Sequence, residues 1–116
     1  MNTYKNMAKG MDKIKEAEYL FIPEGGGSFL WDDEKERLNI LKHNVNFRTA
    51  AGIFKDPHIR IFEDRLHSGV EARFFALGKI LGEVLTVRFT YRQEKIRIIG
   101  AGFWRKGRKL YEDQKE

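Results

Sequence analysis

Leu85-Thr86-Val87-Arg88-Phe89-Thr90-Tyr91 is the stretch that decides the fold. Leu85, Val87, Phe89 and Tyr91 alternate with Thr86, Arg88 and Thr90, a period of two that sends the two sets to opposite faces of a β-strand. Working outward, residues 95–101 repeat the pattern, with Ile96 and Ile98 on one face and Arg97 and Ile99 on the other. Gln93-Glu94 between the two runs is short enough for a tight hairpin. Upstream, Arg73, Phe75 and Leu77 alternate with Phe74 and Ala76, and Ile59 and Ile61 alternate with His58 and Arg60. Connections are expected at residues 66–70 and 78–82. Four strands joined in sequence predict an antiparallel meander.

Before the strands the period lengthens. Asp32 and Asp33 lead a run in which Trp31, Leu38, Leu41 and Val45 are apolar and charges fill the gaps, which predicts an amphipathic helix with an Asp cap. It should end near His43-Asn44, where asparagine tolerates the left-handed backbone that follows many helices. Phe47, Ala50, Ala51 and Phe54 predict a second short helix over 47–54, stopped by Asp56-Pro57. Beyond the last strand, Trp104, Leu110 and Tyr111 sit in a basic segment that reads as a C-terminal helix or arm weakened by Gly107. The fold class is therefore α+β: two N-terminal helices, a four-stranded antiparallel sheet and a C-terminal helical segment.

The 116 residues are enough for one domain, and the Pro-Glu-Gly-Gly-Gly-Ser segment at 23–28 separates it from what precedes. Residues 1–27 are read as an N-terminal extension and linker, with a short amphipathic helix or docked arm over 11–21, and residues 28–116 as the domain. A net charge of +5 favours polyanionic partners: RNA, DNA or an acidic protein. Without cysteine there is no disulfide, thiolate metal site or cysteine nucleophile, and three dispersed histidines give little support for a metal. No metal or cofactor is expected. Apolar runs fall short of the roughly 18 residues a membrane span needs, and the N-terminus lacks a signal peptide's apolar stretch, so a cytoplasmic location is expected.

Residues 29–111 resemble the BrnT toxins of bacterial type II toxin–antitoxin systems. The resemblance is carried by Phe29-x-Trp31-Asp32-x-x-Lys35, by Asn39-x-x-Lys42-His43-x-Val45-x-Phe47-x-x-Ala50, and by Phe54-x-Asp56-Pro57. It continues in His67-Ser68-Gly69 with Glu71-x-Arg73, Tyr91-Arg92, Ile96-Arg97-Ile98-Ile99 and Arg108-x-x-Tyr111. It implies a RelE-like fold, RNA cleavage that inhibits translation, and neutralisation by a BrnA-like antitoxin in a dimeric assembly that meets operator DNA only through the antitoxin. Many family members read Ile-Ser-Ala-Arg where this chain has Ile99-Gly100-Ala101-Gly102. A hydroxyl and a cation are lost there, for which Arg105 or Arg108 would have to substitute.

Metal-independent RNA cleavage needs a base for the 2′-hydroxyl proton, cations for the phosphate and an acid for the leaving oxygen. His67 in the 66–70 loop is a candidate for proton transfer, against the reading of an exposed loop histidine. His43 is a second candidate, though a histidine at a helix C-terminus also suits the helix dipole. Arg73, Arg92 and Arg97 on the strands suit a phosphate clamp, or equally the polar side of a half-buried sheet. Glu71 is read as orienting His67 or pairing with Arg73. Lys42, Trp104, Arg105 and Arg108 are assigned to substrate binding, and Tyr111 to phosphate contact or weak acid catalysis. Trp104 and Tyr111 are also seven apart, a spacing that would pin a terminal helix to the core. The competing function is a noncatalytic basic module for nucleic acid or a partner protein.

Overall fold

The computed structural model describes residues 28–113, so the expected helix or arm at 11–21 lies outside the described residues. Strand β1 (Phe29–Trp31) leads into helix α1 (Asp33–His43) and the short helix α2 (Phe47–Ala51), which continues as a 3-10 turn over Gly52–Lys55. Strands β2 (Arg60–Glu63), β3 (Phe74–Ile80), β4 (Glu83–Arg92) and β5 (Lys95–Phe103) follow, and helix α3 (Arg105–Glu112) closes the chain. Asp32 caps α1 by accepting from Lys35 N–H, and Asn44 ends it in the left-handed conformation, as the sequence predicts.

The sheet has five strands in the order β1-β5-β4-β3-β2, with β1 parallel to β5 and every other pair antiparallel. The expected four-stranded antiparallel sheet is thus corrected to a five-stranded mixed one. Strand β1 is only three residues long, too short to display a period of two, and Trp31 belongs to it rather than to the helix. A second correction concerns 78–82: β3 runs through Gly78 to Ile80, and the turn is only Leu81-Gly82, both with positive φ. Gln93 and Glu94 also have positive φ, which suits a two-residue connection between right-twisted strands.

The alternation on β4 divides the core. Leu85, Val87 and Phe89 join Ile96, Ile98, Phe47, Ala50 and Phe54 in one apolar cluster beneath α2 and the 3-10 turn. The opposite face holds a smaller cluster of Phe62, Phe75, Leu77, Val84 and Tyr111, with Trp104 and Leu110 packed against it. Helix α3 seats closely there. A Cβ at Gly107 would collide with Thr86 Oγ1 and come within 3.2 Å of Leu77 Cδ2, so the residue that weakens the helix is what lets it approach the sheet.

Helix α1 docks differently from its sequence pattern. Asn39 is its buried residue, while Leu38 and Leu41 are exposed, reversing the expected apolar side. The cause is the edge of β5. Where β1 ends, β5 would present unpaired backbone groups; the Asn39 amide accepts from Ala101 N–H at 3.0 Å and donates to Ala101 C=O at 2.9 Å. It donates also to Val45 C=O at 2.9 Å, fixing the entry to α2.

Gly107→Ala is expected to destabilise the fold by about 1–3 kcal/mol through overpacking. Gly100→Ala, whose Cβ would meet only Asn39 Oδ1 at an ordinary 3.6 Å, should lie within about 0.5 kcal/mol of the parent. Urea unfolding of the two variants checks both values, and equal stabilities would show that α3 seats elsewhere.

Candidate active site

Strand register sorts the polar side chains on the α3 face into rows. Leu77 pairs with Thr86 and Thr86 with Gly102, the row beneath α3. The next row sets Phe62 beside Phe75, Phe75 beside Arg88 and Arg88 beside Gly100. In the third, Asp64 N–H donates to Arg73 C=O at 2.7 Å and Thr90 pairs with Arg97. Strand alternation carries Arg73, Arg88, Arg97 and Asp64 to one face, with Arg88 at the edge of the apolar patch that α3 covers and the others past it. A bulge between Arg88 and Phe89 on the β4–β5 ladder leaves Ile99 as the extra residue beside this group.

Asp64 is almost wholly buried, at 1% exposure, and its Oδ2 lies 2.7 Å from Nδ1 of His67. The connection from β2 to β3 wraps around it. His67 N–H donates to Asp64 Oδ1 at 3.3 Å, Ser68 Oγ donates to Asp64 C=O at 2.7 Å, and Arg73 N–H donates to Ser68 Oγ at 2.9 Å. His67 itself is about a quarter exposed, at 24%.

The arginines are not neutralised locally. Among the described residues, none of Arg73, Arg88 and Arg97 forms a salt bridge, and Arg73 Nε is buried without a hydrogen-bond partner. Burial pulls the Arg88 guanidinium below its ordinary value; Asp64 opposes the shift and Arg73 adds to it. Arginine nevertheless remains charged at neutral pH. A face carrying guanidiniums without salt bridges beside a partly exposed imidazole can hold an oxyanion and move a proton near it.

The profile of the family described as ribonuclease toxin, BrnT, of type II toxin-antitoxin system matches residues 31–107. The chain belongs to the BrnT family. BrnT toxins are ribonucleases, and membership in a type II system implies an RNA substrate and an antitoxin protein as partner. Comparison with curated proteins finds no match. No helix among the described residues is long and apolar enough to cross a membrane.

In this BrnT chain the structure gathers His67, Arg73 and Arg97 of the sequence candidates and adds two that sequence reasoning missed, Asp64 and Arg88. Arg88 was legible in the same alternation that singled out Arg97, whereas Asp64 is set apart from the other loop carboxylates only by its burial. The remaining candidates lie around the group. Arg92, at the end of β4, pairs with Glu71 at 3.2 Å, so Glu71 orients neither His67 nor Arg73. Lys42 and His43 end α1 at the β5 edge; burial, then Lys42, lowers the His43 pKa. Trp104 precedes α3 and packs on the smaller cluster, while Arg105 and Arg108 are exposed along that helix. Gly102 is buried under α3 beside Thr86, and Gly100 faces Arg88.

Tyr111 donates its hydroxyl to Asp56 Oδ2 at 2.7 Å, which ties α3 to the loop before β2. Burial, with the Asp56 contact, pushes the Tyr111 phenol up to about 12. Burial alone would raise the Asp56 carboxyl, but hydrogen bonds from Lys79 N–H, Tyr111 and His58 N–H outweigh it and hold the group below its ordinary value. A depressed carboxyl contributes stability above the unfolded-state carboxylate range and loses it as pH falls through the folded value. Asp56→Asn should therefore flatten the acid limb of stability below about pH 4. Urea midpoints across acid pH for parent and variant check this; parallel curves would sink it.

Proposed function

We propose that the chain is a metal-independent endoribonuclease toxin that inhibits translation by cutting RNA through transesterification. The RNA 2′-hydroxyl attacks the adjacent phosphorus, the bond to the 5′-oxygen breaks, and a 2′,3′-cyclic phosphate forms. Arg73, Arg88 and Arg97 bind the phosphate oxygens and balance the charge that grows on them. His67 takes the 2′-hydroxyl proton through Nε2, and the leaving 5′-oxygen gains a proton from water on the open face. Because RNA carries its own nucleophile, positioned cations and one base suffice. The observation that carries this reading is the set of three guanidiniums that form no salt bridge among the described residues, beside the partly exposed His67.

Arg88 stands in this reading where the residues Gly100 and Gly102 leave a cation missing, across the ladder from Gly100. Arg105 and Arg108 on α3, Arg92 and Lys42 extend the basic surface along which a single strand would run, and Trp104 borders it. The toxin domain is residues 28–116, acting in the cytoplasm, where its RNA is. Its antitoxin is a BrnA-like protein that covers the arginine face with acidic side chains in a dimeric assembly and carries the complex to operator DNA.

Arg88→Ala and Arg97→Ala should each lower cleavage of a single-stranded RNA oligonucleotide by about 10²–10³-fold and relieve growth arrest, with the variants folded by circular dichroism. RNA affinity should fall with salt at a log–log slope of about −0.7 per phosphate contacted. Full cleavage by either folded variant removes that arginine from the site, and a flat salt dependence removes the face.

A further inference from the structure

Asp64 is the buried titratable group that the proposed chemistry leaves unused. Its cost is clear: a carboxylate taken out of water is stabilising only when well hydrogen-bonded, and an apolar residue of similar size often serves stability better. Its side chain has one polar side-chain partner among the described residues, the His67 ring. Closing the turn does not require it, because the contact from His67 N–H is long at 3.3 Å and Ser68 Oγ already bridges Asp64 C=O to Arg73 N–H. The short contact, 2.7 Å, goes to Nδ1.

We propose that Asp64 is a positioning residue whose buried carboxylate holds neutral His67 in the Nδ1–H tautomer, leaving the Nε2 lone pair to accept the substrate proton. A carboxylate only accepts hydrogen bonds, so Nδ1 must carry the hydrogen for the pair to form in the neutral ring. The same contact fixes the ring plane and offsets the charge that forms on the imidazole when it takes a proton. Arg88 acts on this carboxylate from β4, across the intervening β3, which ties the clamp and the base into one electrostatic unit. The role rests on the reading of His67 as the base; the tautomer does not.

Nitrogen NMR of the His67 ring in the full chain reads the tautomer directly. The expected result is Nδ1–H in the parent. In Asp64→Asn, whose amide also donates, a large share should move to Nε2–H. On a single-stranded RNA oligonucleotide, Asp64→Asn should lower kcat by about 10²-fold or more with KM little changed. In a His67→Ala background it should cost no more than about twofold, because two residues acting through one step are not additive. An Nε2–H parent ring overturns the proposal without any variant, and so does an undiminished Asp64→Asn effect in the His67→Ala background. An Nδ1–H ring in a chain that cleaves no RNA overturns the ribonuclease reading and leaves the positioning by Asp64 standing.

Discussion

The close seat of α3 on the sheet, at Gly107 against Thr86 and Leu77, decides what the rest of the molecule can do. A sheet whose first face is filled by α2 and the 3-10 turn still has a second face to cover, and one eight-residue helix covers only part of it. The apolar side chains of that face, Phe62, Phe75, Leu77 and Val84, gather with Tyr111, where α3 lies. Within the Phe75 row the face already turns polar at Arg88, and past that row it becomes Asp64, Arg73, Thr90 and Arg97. Site and core are thus consecutive rows of one alternating pattern, divided by the reach of one helix.

That division leaves marks in the hydrogen bonding. Two buried polar side-chain atoms among the described residues lack partners, Thr86 Oγ1 and Arg73 Nε, and they fall on the two sides of the boundary. Thr86 is orphaned because Gly107 brings backbone down over it; a hydroxyl left so costs about 1–3 kcal/mol, which the packing of Trp104, Leu110 and Tyr111 must offset. Arg73 Nε is orphaned on the open side. There the same deficit has a different remedy, since an incoming anion can accept from it.

The period of two was enough to read strands β2 to β5, their faces and the Gln93-Glu94 turn, and the Asp32 and Asn44 caps marked the ends of α1. What escaped was everything decided by a backbone edge or a close approach. Leu38 and Leu41 look like a core stripe, yet a strand edge with free N–H and C=O groups is matched by an amide, so Asn39 turns inward. Gly107 looks like a helix breaker until Thr86 is beneath it. Strand β1 carries no period because three residues cannot show one. In the site, Arg97 and His67 were legible as types of residue in plausible places. Asp64 was not, because a carboxylate in a charged loop becomes informative only when the fold has buried it.

The arginine face also bears on stability. The like charges of Arg73 and Arg88 oppose one another on this face, and Asp64, the buried carboxylate near them, has its short contact with His67. The apolar clusters therefore hold together a face that electrostatics alone would push apart. A ligand that binds only the folded chain stabilises it in proportion to the logarithm of its concentration over its dissociation constant. A polyanion seated on Arg73, Arg88 and Arg97, as proposed, would remove the repulsion and satisfy Arg73 Nε at once. On the proposed reading, RNA phosphate and the carboxylates of a protein partner would both draw on that repulsion, so substrate and inhibitor would compete for one source of binding energy as well as for one surface.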